Sequence, residues 1–208
     1  MLPIYVMYET ELSVFERYCV DKAMQEFKNM FPEREIVIFG FNQWCEGDYS
    51  CADWYIEKAR VKQSTCQIDA SGLLDLMQNE PWQWNNPHVD VLFTSKDLFA
   101  SGLNYCFGMT RGRCTVQSVY RYRYLNTDDR ELAIKTVAWH ELGHVFGMAG
   151  NLRRGNTEYK LGAHCTNYGC VMRQGMNVDE WVRHAKEAKR MGRIYCPQCM
   201  LDMRLSKI

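Results

Sequence analysis

The fold of this chain is decided by the stretch His140-Glu141-Leu142-Gly143-His144-Val145-Phe146-Gly147, an HExxH motif with a glycine three residues later. Residues four apart lie on one face of an α-helix, about 5 to 6 Å from each other, so both imidazoles can reach one metal ion. The glutamate between them can take a proton from a water molecule on that metal. The motif therefore predicts a zinc-dependent peptidase.

The helix that carries this motif is predicted to begin at Thr127 or Asp128. Glu131 completes a capping-box-like spacing from Asp128. Apolar residues then recur at helical intervals, namely Ile134, Val137, Ala138, Leu142 and Val145. Gly147 suits a left-handed cap that ends the helix and turns the chain back toward the metal. The HExxH motif is thus placed in the last two turns.

The rest of the chain predicts a sheet with further helices. Hydrophobic patterning predicts five strands, over Ile4–Tyr8, 35–41, 88–94, 105–110 and 114–120. It also predicts four helices, over 11–30, near 52–61, from about residue 70 to Asn79, and over 178–193. Asp69 or Ser71 is the predicted cap of the third helix. Pro81 and Pro87 bracket a predicted loop. The β, α, β start favours parallel neighbours, and residues 111–113 suit the turn of a hairpin.

Length and composition favour a single domain. The chain has 208 residues, 47% of them hydrophobic and 24% charged, with 25 basic and 25 acidic side chains. No global field therefore favours nucleic acid or membrane. Neither a basic leader nor a stretch of 18 to 20 apolar residues is visible, which predicts a soluble, cytoplasmic protein with no membrane partner. We expect a monomer with an N-terminal part over 1–147 and a C-terminal part over 148–208.

The order of potential ligands beyond the helix carries a family resemblance. HExxHxxG resembles the metzincins, in which a third histidine follows three residues after the glycine, but here that place is Gly150. His164 instead opens an HCxxxxCxM pattern, which a CxxC follows at Cys196 and Cys199. This order resembles the archaemetzincins, a metzincin family of small zinc-dependent peptidases. The resemblance extends over about 88–200, including 95–98, 103–108 and 118–121.

The resemblance implies a fold and a set of site residues. The fold is an α/β (α+β) metzincin-like zincin with a mixed, twisted five-stranded sheet, an active-site helix and a smaller irregular C-terminal subdomain. It implies a peptide or protein substrate aligned on the strand 105–110 and Glu141 as general base. It implies that Met172 lies under the metal as the Met-turn residue. The implied catalytic zinc ligands are His140, His144 and His164.

Two segments depart from the family pattern. Sixteen residues, 148–163, separate Gly147 from His164, which is more than the family has there. The spacing from Met172 to the CxxC is also longer. Both read as loop insertions, which cost little closure entropy as their length grows. Residues 42–67 look like a further insertion.

A second zinc is predicted from the cysteines. Two close pairs separated by 25 residues match a closed, tetrahedral structural zinc site, formed by Cys165, Cys170, Cys196 and Cys199. This site would hold the C-terminal helix against the Met-turn loop and gives two Zn²⁺ per chain. Four unrelated thiols, or a redox CxxC, are the alternatives. The remaining cysteines are predicted to be buried free thiols, namely Cys19, Cys45, Cys51, Cys66, Cys106 and Cys114.

Two other functions compete with peptidase activity. The first is nucleic-acid binding, because arginines interleave with tyrosines and residues 183–193 are basic, a composition that also occurs in nucleic-acid-binding modules. The interleaved residues are Arg111, Arg113, Arg121 and Arg123 with Tyr120, Tyr122 and Tyr124. Alternation on a strand places the two sets on opposite faces, which disfavours this reading. A catalytically silent, zinc-stabilised scaffold is the other alternative, but it has no need of Glu141. The carbonyl-polarising group is not identifiable, although Tyr168 lies near in sequence.

Overall fold

The fold is a mixed α/β arrangement of helices and three sheets. A computed structural model describes residues 2–40, 52–59, 61–62, 64–150 and 153–206. The strands are β1 (Ile4–Tyr8), β2 (Ile36–Gly40), β3 (Val61–Lys62), β4 (Gln67–Asp69), β5 (Val89–Thr94), β6 (Leu98–Ala100), β7 (Leu103–Cys106), β8 (Gly108–Arg111), β9 (Cys114–Ser118), β10 (Thr157–Glu158) and β11 (His164–Cys165). The helices are α1 (Val14–Met30), α2 (Ala52–Lys58), α3 (Ala70–Gln78), α4 (Pro81–Asn85), α5 (Thr127–Val145), α6 (Val178–Arg190) and α7 (Pro197–Leu205).

The main sheet has five strands in the order β2-β1-β5-β9-β8. The first four run parallel, whereas β8 runs antiparallel to β9 and occupies an edge. All six residues of β5 are buried, four of them apolar and two, Asp90 and Thr94, polar, as expected of a central strand that is covered on both faces. The predicted mixed five-stranded sheet is confirmed.

The predicted strand 105–110 is wrong, because the chain divides there into β7 and β8, which belong to different sheets. Phe107 lies at the break. Its buried ring stacks on Tyr122 and Trp181, with centroids 5.4 and 5.8 Å away, so it anchors a corner between the strands. The predicted strand 114–120 also ends early, at Ser118, and Tyr120–Tyr122 forms a 3₁₀ turn. The arginines and tyrosines therefore do not alternate on a strand.

A second sheet of four strands, β3-β4-β6-β7, was not predicted. It packs with α2 and α3 around a second core, to which one face of the main sheet contributes Met7, Leu92 and Val116. The helix predicted near 52–61 is α2, and Asp69, one of the two predicted caps, caps α3. Residues 41–51 lie outside the described residues.

Cys66 is exposed, contrary to the prediction of a buried thiol, whereas Cys19, Cys106 and Cys114 are buried. The loop predicted between the two prolines contains α4, which has Pro81 in its first turn.

Caps set the helix starts. Ser13 and Glu16 form a capping box, so α1 begins at Val14 and not at 11. For α5 the predicted box from Asp128 to Glu131 is wrong, because Asn126 is the cap and accepts a hydrogen bond from the Asp129 backbone at 3.0 Å. Helix α5 nevertheless begins at Thr127, one of the two predicted starts.

Helix α5 lies between the main sheet and α1, and most of its second half is buried. Helix α6, predicted over 178–193, ends at Arg190 and is followed by α7, which was not predicted. Cys196 is the N-cap of α7 and Pro197 its first residue, so the CxxC opens a helix. Among the described helices, none combines the length and apolarity needed to cross a bilayer.

Candidate active site

Three histidines meet where α5 ends. The Nε2 atoms of His140 and His144 are 3.0 Å apart, and the His164 ring lies 5.2 and 4.9 Å from the other two rings. Val171 O lies 2.7 Å from the Nδ1 of His140, and Gly162 O lies 3.1 Å from that of His164. A carbonyl accepts only from a protonated Nδ1, which leaves Nε2 of both rings with a free lone pair.

The donor set fits zinc. One ligand atom from each histidine lies within 4.8 Å of the others. Two nitrogens about 2.1 Å from a tetrahedral zinc would lie about 3.4 Å apart, close to the 3.0 Å between His140 and His144. Burial lowers the pKa of all three imidazoles, and neighbouring imidazoles lower those of His140 and His144 further. The rings are therefore neutral at pH 7, the form that binds a metal.

Glu141 faces the same cleft from the next position on α5. Burial raises the pKa of its carboxyl to about 7, while a hydrogen bond from Thr110 opposes the rise. The Thr110 hydroxyl donates to Oε2 at 2.7 Å. A Cβ at Gly108 would lie 2.7 Å from Oε1, so the glycine leaves room for the carboxylate. The sequence reasoning missed both β8 residues, since neither belongs to a motif.

Met172 lies beneath the HExxH helix. It is fully buried, and a Cβ at Gly143 would lie 2.2 Å from its sulfur. The backbone N–H of Cys165 donates to the Met172 carbonyl at 2.9 Å. Met172 therefore packs against the middle of the motif and is joined to the strand that carries His164, whereas its assignment as the Met-turn residue stays a prediction.

The insertion at 148–163 supplies a partner strand for His164. Strand β10 pairs antiparallel with β11, with Thr157 opposite Cys165 and Glu158 opposite His164. The Asn156 carbonyl accepts from the backbone of the residue after β11 at 3.0 Å. The displaced histidine is therefore held in a short ladder.

Four cysteines form a second cluster, fully buried behind β11. Sγ of Cys165 lies 3.8 Å from that of Cys196, and Sγ of Cys170 lies 3.6 Å from that of Cys199. Two sulfurs about 2.3 Å from a tetrahedral zinc would be about 3.8 Å apart, whereas a disulfide requires about 2.05 Å. The spacing fits zinc and excludes disulfides in this structure.

A guanidinium from the insertion touches this cluster. Arg153 donates to Sγ of Cys199 at 3.2 Å and to Sγ of Cys165 at 3.3 Å, and it also pairs with Asp202 at 3.3 Å. Asn167 donates to Sγ of Cys196 at 3.2 Å. Cationic and amide donors of this kind stabilise thiolates, which are the form that binds metal. The sequence reasoning assigned the insertion no such contact.

A cleft of about 740 Å³ lies beside the three histidines and Glu141. The edge strand β8 forms one wall, and the other wall includes His140, Glu141, His144 and His164. Tyr168 is 56% exposed, and within the described residues it does not line this cleft. Three of the four arginines considered for nucleic acid are paired with carboxylates, since Arg111 pairs with Asp75, Arg121 with Asp97 and Arg123 with Glu16.

Comparison with known proteins places this geometry in a family. The profile of peptidase family M54 matches residues 6–205. An archaemetzincin from Methanopyrus kandleri is 40% identical over 112 residues, which cover 51% of this chain and 52% of that protein. One from Thermococcus kodakarensis is 32% identical over 117 residues, 52% of each chain. The matched region thus spans about half the length of these relatives.

Solved structures share the fold. The crystal structure of archaemetzincin from Methanopyrus kandleri superposes with a TM-score of 0.68 at 20% identity, covering 99% of this chain and 94% of the other. That from Archaeoglobus fulgidus, complexed with malonate, gives 0.62 at 21% identity, covering 97% and 99%. The predicted metzincin-like fold is thereby confirmed. Since the family profile spans almost the whole sequence, this chain belongs to peptidase family M54.

Proposed function

We propose that the protein is a zinc-dependent metallopeptidase that cleaves peptide bonds in the cleft between α5 and β8. The observation that carries the proposal is the convergence, in one cleft, of three neutral imidazoles, the Glu141 carboxylate and an antiparallel edge strand. The curated relatives that match part of the chain are named archaemetzincins.

The ligands proposed for the catalytic zinc are His140, His144 and His164. Zinc bound there would supply a Lewis acid that acidifies water and polarises a peptide carbonyl. The Val171 and Gly162 carbonyls fix the tautomer of two of the rings, as partners behind the ligands do in zinc sites. His164 is the ligand that the insertion displaces, and β10 holds it in place.

Glu141 is the proposed general base. Its Oε2 is occupied by the Thr110 hydroxyl, so Oε1, which the missing side chain at Gly108 leaves unobstructed, accepts the proton of the attacking water. A carboxyl whose pKa is about 7 both accepts that proton and returns it to the leaving amine at neutral pH. Thr110 has a positioning role, because its hydroxyl orients the carboxylate.

Strand β8 is the proposed docking edge for substrate. It ends the five-stranded sheet and lines the cleft with Gly108, Met109, Thr110 and Arg111. An edge strand offers unpaired backbone groups to an extended peptide. A peptide that pairs with β8 passes in front of Glu141, which suits cleavage within a chain held in extended conformation.

A second, structural zinc is proposed for the four-cysteine cluster. The sulfur spacing and the donors around it support this assignment, and it gives two zinc ions for the two clusters together. Since Cys165 follows His164, the structural site would also fix the third catalytic ligand. A cytoplasmic, monomeric state remains a prediction.

The test compares the wild type with Glu141→Gln in a fluorogenic peptide assay, with zinc measured on the same samples. General base catalysis contributes about 10²- to 10⁴-fold, so we expect kcat/KM to fall at least about 100-fold while the zinc content is unchanged. Glu57→Gln is the matched control, because it removes an exposed glutamate of α2 that does not line the cleft. It should retain activity.

Metal content tests the ligands separately. His164→Ala and Cys199→Ser should each lose one zinc per chain. Unchanged zinc in His164→Ala would refute the third ligand. Equal cleavage by the wild type and Glu141→Gln would refute the mechanism, and zinc-loaded wild type that cleaves no peptide in a diverse library would favour the silent scaffold.

A further inference from the structure

A third cluster of metal-ligating side chains lies away from the cleft, beneath the main sheet. Glu80 is the N-cap of α4, His88 immediately precedes β5, and Asp90 is the second residue of β5. The three side chains are between 0 and 1% exposed. One potential ligand atom from each lies within 4.8 Å of the others. Neither the motif analysis nor the proposed mechanism uses them.

The inner atoms of this cluster lack hydrogen bonds. Nε2 of His88 lies 3.1 Å from Oδ1 of Asp90 and 3.7 Å from Oε1 of Glu80. Among the described residues, these three atoms make no hydrogen bond and meet only as ion-pair contacts between the imidazole and the two carboxylates. A buried polar atom that makes no hydrogen bond costs about 1 to 3 kcal/mol. Three such atoms facing one another therefore need an explanation.

The second polar atom of each of these three side chains, the one directed away from the centre of the cluster, makes a hydrogen bond. The Tyr55 hydroxyl donates to Glu80 Oε2, the Gln83 amide donates to Asp90 Oδ2 at 2.7 Å, and the His88 Nδ1–H donates to the Asn86 carbonyl. Outer-shell partners of this type orient ligands around a metal and set the histidine tautomer. The pattern leaves one lone pair on each residue directed toward a common point.

Charge balance favours a divalent cation at that point. Two buried carboxylates and a protonated imidazole would leave one uncompensated negative charge. Burying an unbalanced charge is costly. A divalent ion with a neutral imidazole and two carboxylates is neutral. Nitrogen and carboxylate donors suit zinc and its first-row neighbours, and ligand pairs about 3.4 Å apart are expected around zinc, between the measured 3.1 and 3.7 Å.

We propose that Glu80, His88 and Asp90 form an additional binding site for a divalent transition metal, with zinc as its natural occupant. The ion joins the start of α4 to the start of the central strand β5. The ion has a structural role, because it stabilises the region where the main sheet packs against the second core. The proposal is independent of the catalytic site, which shares none of these residues.

The experiment measures zinc per chain in the full-length protein after saturation with Zn²⁺ and removal of excess ion. Asp90→Asn and His88→Gln should each bind one ion fewer than the wild type. Glu9→Gln is the matched control, because Glu9 is a buried carboxylate of the same sheet that accepts from Thr94 at 2.8 Å. It should bind as many ions as the wild type. The measured quantity is the difference in bound zinc between variant and wild type. It does not depend on how fully the histidine and cysteine clusters are occupied.

Crystals of the wild type soaked in Zn²⁺ give a second test that needs no variant. Anomalous scattering at the zinc edge should show a peak about 2.1 Å from His88 Nε2. Equal zinc in the wild type and Asp90→Asn would overturn the proposal, as would a map with peaks at other sites and none at His88. Either result would mean that a protonated His88 occupies the centre.

Discussion

Glu16 is the buried charge that joins α1 to the beginning of the active-site helix. Its carboxylate is fully buried, accepts from Arg123 at 2.9 Å, and pairs with Arg130 in the first turn of α5. Its Oε2 also accepts from the Ser13 backbone at 2.7 Å. Glu16→Gln keeps an oxygen for that cap but removes the charge, so it isolates the electrostatic part.

The expected magnitude follows from the pKa. Burial raises the pKa of Glu16, but hydrogen bonds from Arg123, Ser13 and Arg130 outweigh it and lower the pKa from 4.5 to about 2. At about 1.4 kcal/mol per pKa unit, this shift corresponds to about 3 kcal/mol of stability near pH 7. Because the folded pKa lies below the unfolded one, the contribution is complete above about pH 4.5 and is lost as the pH falls through about 2.

The assay is urea denaturation of the wild type and Glu16→Gln at a series of pH values. The difference in unfolding free energy should be about 3 kcal/mol at pH 7 and should shrink below pH 4.5. Glu26→Gln is the control, since Glu26 is 34% exposed and pairs with Lys135 at 2.8 Å; a pair near the surface contributes at most about 1 kcal/mol. A difference under 1 kcal/mol for Glu16→Gln, or one unchanged between pH 7 and 3, would refute the reasoning.

Three further substitutions test the supports of the two main clusters. Gly143→Ala should destabilise the protein by about 1 to 2 kcal/mol in thermal denaturation, because a Cβ 2.2 Å from the Met172 sulfur costs more through overpacking than the roughly 1 kcal/mol gained in helix propensity; a more stable variant would contradict this. Gly108→Ala should lower peptidase activity at least about 10-fold with zinc content unchanged, because its methyl group displaces the Glu141 carboxylate. Arg153→Leu should lose zinc to a chelator about 10- to 100-fold more readily, since it removes two donors to cysteine sulfur; wild-type retention would mean that Arg153 only fills space.

The sequence predicted those features whose cause is local. The spacing of His140 and His144 fixes their common face on any helix. Strand β5 is recognisable because Val89, Val91, Leu92 and Phe93 are β-branched, aromatic or otherwise apolar residues within one short run. Asp69 and Ser71 were the predicted caps of α3 because both side chains can accept from a nearby backbone N–H, and the structure shows that Asp69 accepts from Ser71.

Features that depend on distant partners were not predictable. The segment 105–110 has the pattern of one strand. Only the packing of Phe107 against Tyr122 and Trp181 shows why the strand is interrupted at that residue. At the start of α5, Asn126 and Asp128 are both good cap residues. Local chemistry does not separate them, and only the structure shows that Asn126 is the cap.

The metal-ligating residues show the same division. The two close cysteine pairs are visible in sequence because each pair shares a turn or a helix start. The cluster of Glu80, His88 and Asp90 has no motif spacing, since its ligand atoms converge only after α4 folds back on β5. Its identification required the unpartnered atoms that the structure shows.

The segment between Gly147 and His164 connects the histidine cluster with the cysteine cluster. His164 and Cys165 are neighbours on β11, and successive side chains of a strand point to opposite faces, so this one strand faces the histidines on one side and the cysteines on the other. The insertion pairs with β11 through β10 and reaches the cysteine sulfurs through Arg153. A longer loop therefore does not loosen His164, the proposed third ligand, because both attachments of the loop restrain the strand that carries this histidine.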